Sequence, residues 1–139
     1  MQDLHNLERF VDAQRGVIDT VRRELACGKK QTHWMWFVFP QVAGLGHSAM
    51  ARRFAIASLD EASVYLAHPV LGPRLRECCQ LVLEAGEKSI EQILPPPDDM
   101  KFRSSMTLFS QATTDNAVFS ACLERYFDGV PDPATLARL

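Results

Sequence analysis

A chain of 139 residues, 47% hydrophobic and 23% charged, is long enough for one buried core and too apolar to remain disordered. Its formal net charge of -2, with the basic residues scattered, argues against a nucleic-acid partner, whose electrostatic footprint is a lysine and arginine stripe. No stretch approaches the roughly 20 apolar residues of a membrane span, so no membrane partner is expected either.

The opening Met1-Gln2-Asp3-Leu4-His5-Asn6 lacks both the cationic start and the apolar core of an export signal, which predicts a cytoplasmic location. Asp3 is placed to cap a first helix whose apolar residues Leu4, Leu7, Phe10 and Val11 recur at three- and four-residue steps. Gly16 breaks or bends it. The pattern resumes at Val17, Ile18, Val21 and Leu25 and stops at Gly28, a left-handed C-cap with Lys29 and Lys30 near the negative helix end.

The next sixteen-residue stretch, from His33 to Ser48, holds both tryptophans, Phe37 and Phe39, and two of the four histidines. The run His33-Trp34-Met35-Trp36-Phe37-Val38-Phe39 fits a buried strand and a buried helical segment equally well, and Pro40 ends either. Gln41 to His47 reads as a loop opened by Gly44 and Gly46. Ser48 then caps a helix through Arg52 and Phe54, and free N–H groups at that helix start are suited to an anion.

Ser58-Leu59-Asp60-Glu61 reads as a capping box. Its helix carries Ala62, Tyr65 and Leu66 and yields near His68-Pro69. A stripe of Leu71, Leu75, Cys78, Cys79, Val82 and Leu83 predicts a longer helix closed by Gly86. Ser89-Ile90-Glu91-Gln92 repeats the capping-box pattern before Pro95-Pro96-Pro97, which reads as an extended linker. Asp98 or Asp99 starts the next helix, Asp115 another, and Pro133 a terminal turn. Together these predict an all-α single domain over 1–139, with six to eight short helices around one core. The four cysteines show no metal-binding spacing, so reduced and partly buried thiols, no metal and no cofactor are expected.

The aromatic block with Gly44-Leu45-Gly46-His47-Ser48 resembles the signature of an uncharacterised bacterial family, domain of unknown function 1810. Three later blocks agree: Tyr65-Leu66-Ala67-His68-Pro69-Val70-Leu71-Gly72-Pro73-Arg74-Leu75; Asp98-Asp99-Met100-Lys101-Phe102-Arg103-Ser104-Ser105-Met106-Thr107-Leu108-Phe109; and Tyr126-Phe127-Asp128-Gly129. The resemblance covers nearly the whole chain and implies a compact, mainly helical domain without an established activity. The chain departs from that family's pattern at Leu94-Pro95-Pro96-Pro97, where a glycine-containing turn is expected. Members are sometimes labelled calpastatin, but an inhibitor that wraps its target needs an extended polar segment, which this composition does not supply. A weaker similarity of helical layout is to proteins that process ADP-ribose and related N-glycosides, which is analogy alone.

Core aromatics beside a glycine loop are the usual wall and rim of a small-molecule pocket. On that reading Trp34, Trp36 and Phe39 form the wall. Gln41, Gly44, Gly46, Ser48 and Arg52 form a polar rim, with Ser105 a further hydroxyl for the ligand. His33, Asp99 and Lys101 are the candidates for proton transfer or charge stabilisation: an imidazole titrates near neutrality, a lysine holds phosphate or carboxylate, and a carboxylate orients it or polarises water. Each also has a structural alternative, as a histidine pinned beside tryptophans, rings filling the core, or solvated charges at a helix start. The expected ligand is small, polar or phosphorylated, of nucleotide or ADP-ribose type, and the activity that of a hydrolase or transferase. The alternative is a non-catalytic helical module binding a protein partner through the aromatic and glycine segment, in which case tryptophan is displayed at the surface.

Overall fold

The computed structural model describes residues 3–139. Ten helices run in chain order among the described residues: α1 (Glu8–Gln14), α2 (Ile18–Ala26), α3 (Met35–Val38), α4 (Ala49–Arg53), α5 (Leu59–Ala67), α6 (Leu71–Leu83), α7 (Ile90–Ile93), α8 (Asp98–Ala112), α9 (Ala117–Phe127) and α10 (Pro133–Leu136). Six have seven or more residues; α3, α4, α7 and α10 are single turns. The all-α expectation holds, with these short turns beyond the six to eight helices anticipated. No described helix is long and apolar enough to cross a membrane.

Helix α8 packs against α5 and α9, while α6 packs against α9, α5 and α2. The core is aromatic and continuous. Tyr65 meets Phe10 edge-on, at a ring separation of 5.1 Å, and Phe109 at 5.3 Å. Phe39 meets Phe102 edge-on at 5.0 Å. Such pairs add about 0.5–1.5 kcal/mol each beyond their area burial. Cys78, Cys79 and Cys122 are buried in this core as free thiols, and Cys27 is exposed.

The termini follow local chemistry. Gly28 adopts φ +73° just beyond α2, as its role as a C-cap requires. Ser89 and Gln92 form the full reciprocal capping box of α7. Ser58 completes only half of one, because its hydroxyl accepts from Glu61 N–H while the Glu61 carboxylate turns to Arg9 and the Ala57 N–H. His68 ends α5 and starts α6, its Nδ1 accepting from the N–H groups of Val70 and Leu71.

The triproline is not an extended linker. Pro95–Pro97 form a turn with a cis Pro96–Pro97 bond, closed by Asp98 N–H donating to the Pro95 carbonyl at 3.0 Å. Proline fixes φ near a value that suits a turn as readily as an extended chain, so composition alone did not separate the two.

Candidate functional site

The ambiguous aromatic run is one turn of helix, and its orientation is set from behind. Glu24, near the end of α2, is buried and accepts from the N–H groups of Gln31 (2.7 Å) and Thr32 (3.1 Å), the Thr32 hydroxyl (2.6 Å) and the Trp34 indole (2.9 Å). Burial alone would raise its pKa, but these four donors outweigh burial and hold the carboxyl down at about 2. At the other end of the turn, buried Gln14 donates to the Phe37 carbonyl at 2.8 Å. Trp34 is thereby fixed inward, 2% exposed. Two residues on a helix lie about 200° apart, so Trp36 faces outward, where it lines two neighbouring concavities.

The first concavity has a volume of about 250 Å³ and is lined by Trp36, Phe54, Gln41, Arg52, Gly44 and Gly46 among others. Val42, one of its lining residues, forms an isolated parallel bridge with buried Ile56: Ile56 N–H donates to the Gln41 carbonyl at 2.9 Å, and Ala43 N–H to the Ile56 carbonyl at 2.8 Å. Arg9 holds the segment that leads into Ile56. Its guanidinium donates to the carbonyls of Arg53 (2.9 Å) and Ala55 (2.8 Å) and to Glu61 (2.9 Å). Gly44 sits at φ +98° with the Arg138 guanidinium where a Cβ would be. Arg52 is exposed and takes part in none of the ion pairs among the described residues.

The second concavity, of about 380 Å³, is lined by Lys30, Gln31, His33, Met35, Trp36, the three prolines, Asp98 and Lys101. Asp98 lies 2.9 Å from Lys30 Nζ and 3.8 Å from Lys101 Nζ. Lys30 also lies over the Trp34 ring, at 5.2 Å, and Lys101 over the Trp36 ring, at 5.7 Å.

The predicted site residues therefore divide. Trp36, Gln41, Gly44, Gly46 and Arg52 come together around the first concavity, and His33, Trp36 and Lys101 around the second. Trp34 and Phe39 are buried core residues and are not among those lining either. Ser48 is spent as the cap of α4, accepting from Ala51 N–H at 3.1 Å. Asp99 is buried, with one carboxylate oxygen unpaired among the described residues, and is absent from both linings; the carboxylate facing Lys101 is Asp98, because i and i+3 share a helix face whereas Asp99 is turned 100° from it. Ser105 is fully buried with no hydrogen-bond partner among the described residues. Of its neighbours, Thr107 and Ser104 bond back to the carbonyls of Arg103 and Met100.

Lys30, Asp98 and the triproline are not among the residues that the sequence singles out for the site: Lys30 reads as the end of α2, Asp98 as a helix start beside Lys101, and the prolines as a linker. The signal for Lys30 is the adjacency of a basic pair to the aromatic block. No cluster of three or more potential metal ligands occurs among the described residues.

The family described as protein of unknown function (DUF1810) matches residues 4–139. The crystal structure at 1.38 Å of the conserved hypothetical protein Rv1873 from Mycobacterium tuberculosis is 52% identical, with a TM-score of 0.98 over 99% of this chain and 98% of that one. No curated protein matches.

Proposed function

Since the chain belongs to the DUF1810 family, whose description assigns no activity, we propose from the geometry alone that it is a cytoplasmic small-molecule-binding protein whose ligand seats beside Trp36. The observation that carries this reading is the recess itself. A half-buried indole shares a cavity of about 250 Å³ with the Gln41 amide and a guanidinium, Arg52, that has no acidic partner among the described residues. Apolar walls with a few convergent polar groups are how small ligands are held and oriented. A planar ring against Trp36, with polar edges read by Gln41 and Arg52, is the match, which a nucleotide or ADP-ribose-like compound supplies.

Hydrolase or transferase chemistry, if the ligand reacts, falls to His33 and Lys101 in the adjoining concavity, the groups there able to move a proton or stabilise charge. A protein-binding module is less favoured, since Trp34 is buried and Trp36 is recessed rather than displayed.

The test is a thermal-shift panel of nucleotides, ADP-ribose, NAD and simple phosphates, with tryptophan emission followed on the same samples. A binder at 100 times its Kd stabilises the fold by about 2.7 kcal/mol. The expected result is saturable stabilisation with a matching emission change, both lost in Arg52→Ala and in Trp36→Leu. Silence at millimolar ligand across the panel would remove the nucleotide reading.

A further inference from the structure

We propose that the second concavity is an anion subsite of the same ligand, so that the bound compound carries a phosphoryl or carboxylate group besides its ring; this rests on the first cavity being the seat of the ring. Among the described residues Trp36 is the one side chain common to both linings, so a ligand resting against its indole lies beside both concavities.

Charge decides what the second concavity receives. Asp98 is the only carboxylate in its lining, against Lys30 and Lys101. The shorter contact commits Asp98 to Lys30, at 2.9 Å with the lysine side chain only 8% exposed. Lys101 keeps the longer contact to Asp98 at 3.8 Å, with its side chain 30% exposed. An ion pair at that separation, with Lys101 partly exposed, and a cation over an indole ring are both modest holds. One positive charge is thus in excess in a hollow walled by an indole and three prolines. His33 and Gln31 line the same hollow and add donors of the kind a multi-oxygen anion uses.

A divalent metal is repelled by this balance, and an apolar group leaves the excess positive charge uncompensated. A phosphoryl or carboxylate group compensates it and takes several donors at once. Asp98 then has the role of a positioning residue: it anchors Lys30 and orients Lys101 from the preceding turn of α8, without itself touching the anion.

The test is fluorescence titration with adenosine, AMP and pyrophosphate on the wild type and on Lys101→Met, Lys101→Arg and Arg52→Met, with far-UV circular dichroism confirming that each folds. AMP is expected to bind at least about tenfold tighter than adenosine, the scale of one charge-assisted hydrogen bond. Lys101→Met should erase that advantage, so that AMP and adenosine bind equally, and Lys101→Arg should restore most of it. Pyrophosphate alone should perturb the emission of the wild type and not of Lys101→Met. Equal affinity for AMP and adenosine overturns the subsite, as does an advantage that survives Lys101→Met and disappears in Arg52→Met, since the phosphate then sits in the first cavity. If neither adenosine nor AMP binds, a pyrophosphate response that needs Lys101 sustains the subsite and removes the ring seat; no pyrophosphate response removes the subsite as well.

Discussion

The indole N–H of Trp34 donates to the buried carboxylate of Glu24 at 2.9 Å, and this bond fixes the whole aromatic turn. With Trp34 held inward, helical geometry leaves Trp36 pointing outward. The Trp36 side chain, and with it the cavity it lines, is therefore positioned by a carboxylate that does not line that cavity.

Glu24 has a consequence in acid. Its carboxyl is held at about 2 in the folded protein against an ordinary value of 4.5. A depressed folded value contributes stability that is fully present above the unfolded value and lost as pH falls from about 4.5 through about 2. The shift corresponds to about 3 kcal/mol at neutral pH. Urea midpoints measured from pH 6 down to pH 2.5 should fall more steeply for the wild type than for Glu24→Gln, which starts lower and has less to lose. Parallel slopes would mean that Glu24 titrates normally.

The two tryptophans should separate spectroscopically. Trp36→Phe leaves only buried Trp34, so emission should be blue-shifted and resistant to iodide, at a stability cost below about 1 kcal/mol. Trp34→Phe leaves Trp36, with redder and quenchable emission, and costs about 1.5–3 kcal/mol for the bond to a charged acceptor. Accessible emission from the Trp36→Phe protein would place Trp34 elsewhere than in the core.

Arg9 uses its guanidinium on the Arg53 and Ala55 carbonyls and on Glu61, and the pair with Glu61 is largely buried. Removing one partner of such a pair costs about 3–5 kcal/mol. Arg9→Met should lose stability on that scale by chemical denaturation. Arg9→Lys should recover only part of it, because one ammonium does not span the five acceptors, the His5 and Asn6 carbonyls included, that a planar fork reaches. Full recovery in Arg9→Lys would show that charge alone, and not the fork, holds the segment from Arg53 to Ala55.

Local signals carried the fold. The apolar stripe of α6, the Ser89 box and the Gly28 stop are short-range, and each stands as the spacing predicts. The site was half legible. Trp36, Gln41, Gly44, Gly46 and Arg52 are close in sequence as well as in space, so one segment disclosed them. Asp98 and Lys30 meet across 68 positions, and nothing in either neighbourhood marks the other. Composition locates an aromatic cluster without its rotation, so Trp34 and Phe39 read as wall, and only the Glu24 contact determines which rings turn inward. Asp98 and Asp99 are alike in sequence for a similar reason: both can start a helix, and a difference of one residue moves a side chain from the surface to the core.

Gly72 offers a test in which two ordinary rules give opposite signs. It lies in the first turn of α6 without a positive φ, so helix propensity favours alanine by up to about 1 kcal/mol. Yet a Cβ there runs into the Leu66 carbonyl oxygen at the end of α5. Neither side yields easily: Leu66 contributes backbone rather than a flexible side chain, and His68 Nδ1 holds the Val70 and Leu71 N–H groups between the two helices. Overpacking of a closed site costs about 1–3 kcal/mol, so the steric term should win. Gly72→Ala is expected to be destabilised by about 2 kcal/mol in urea, with no change of slope. A stabilised Gly72→Ala would mean that α5 and α6 part at little cost, and that the tight turn between them is not what holds Tyr65 in the core.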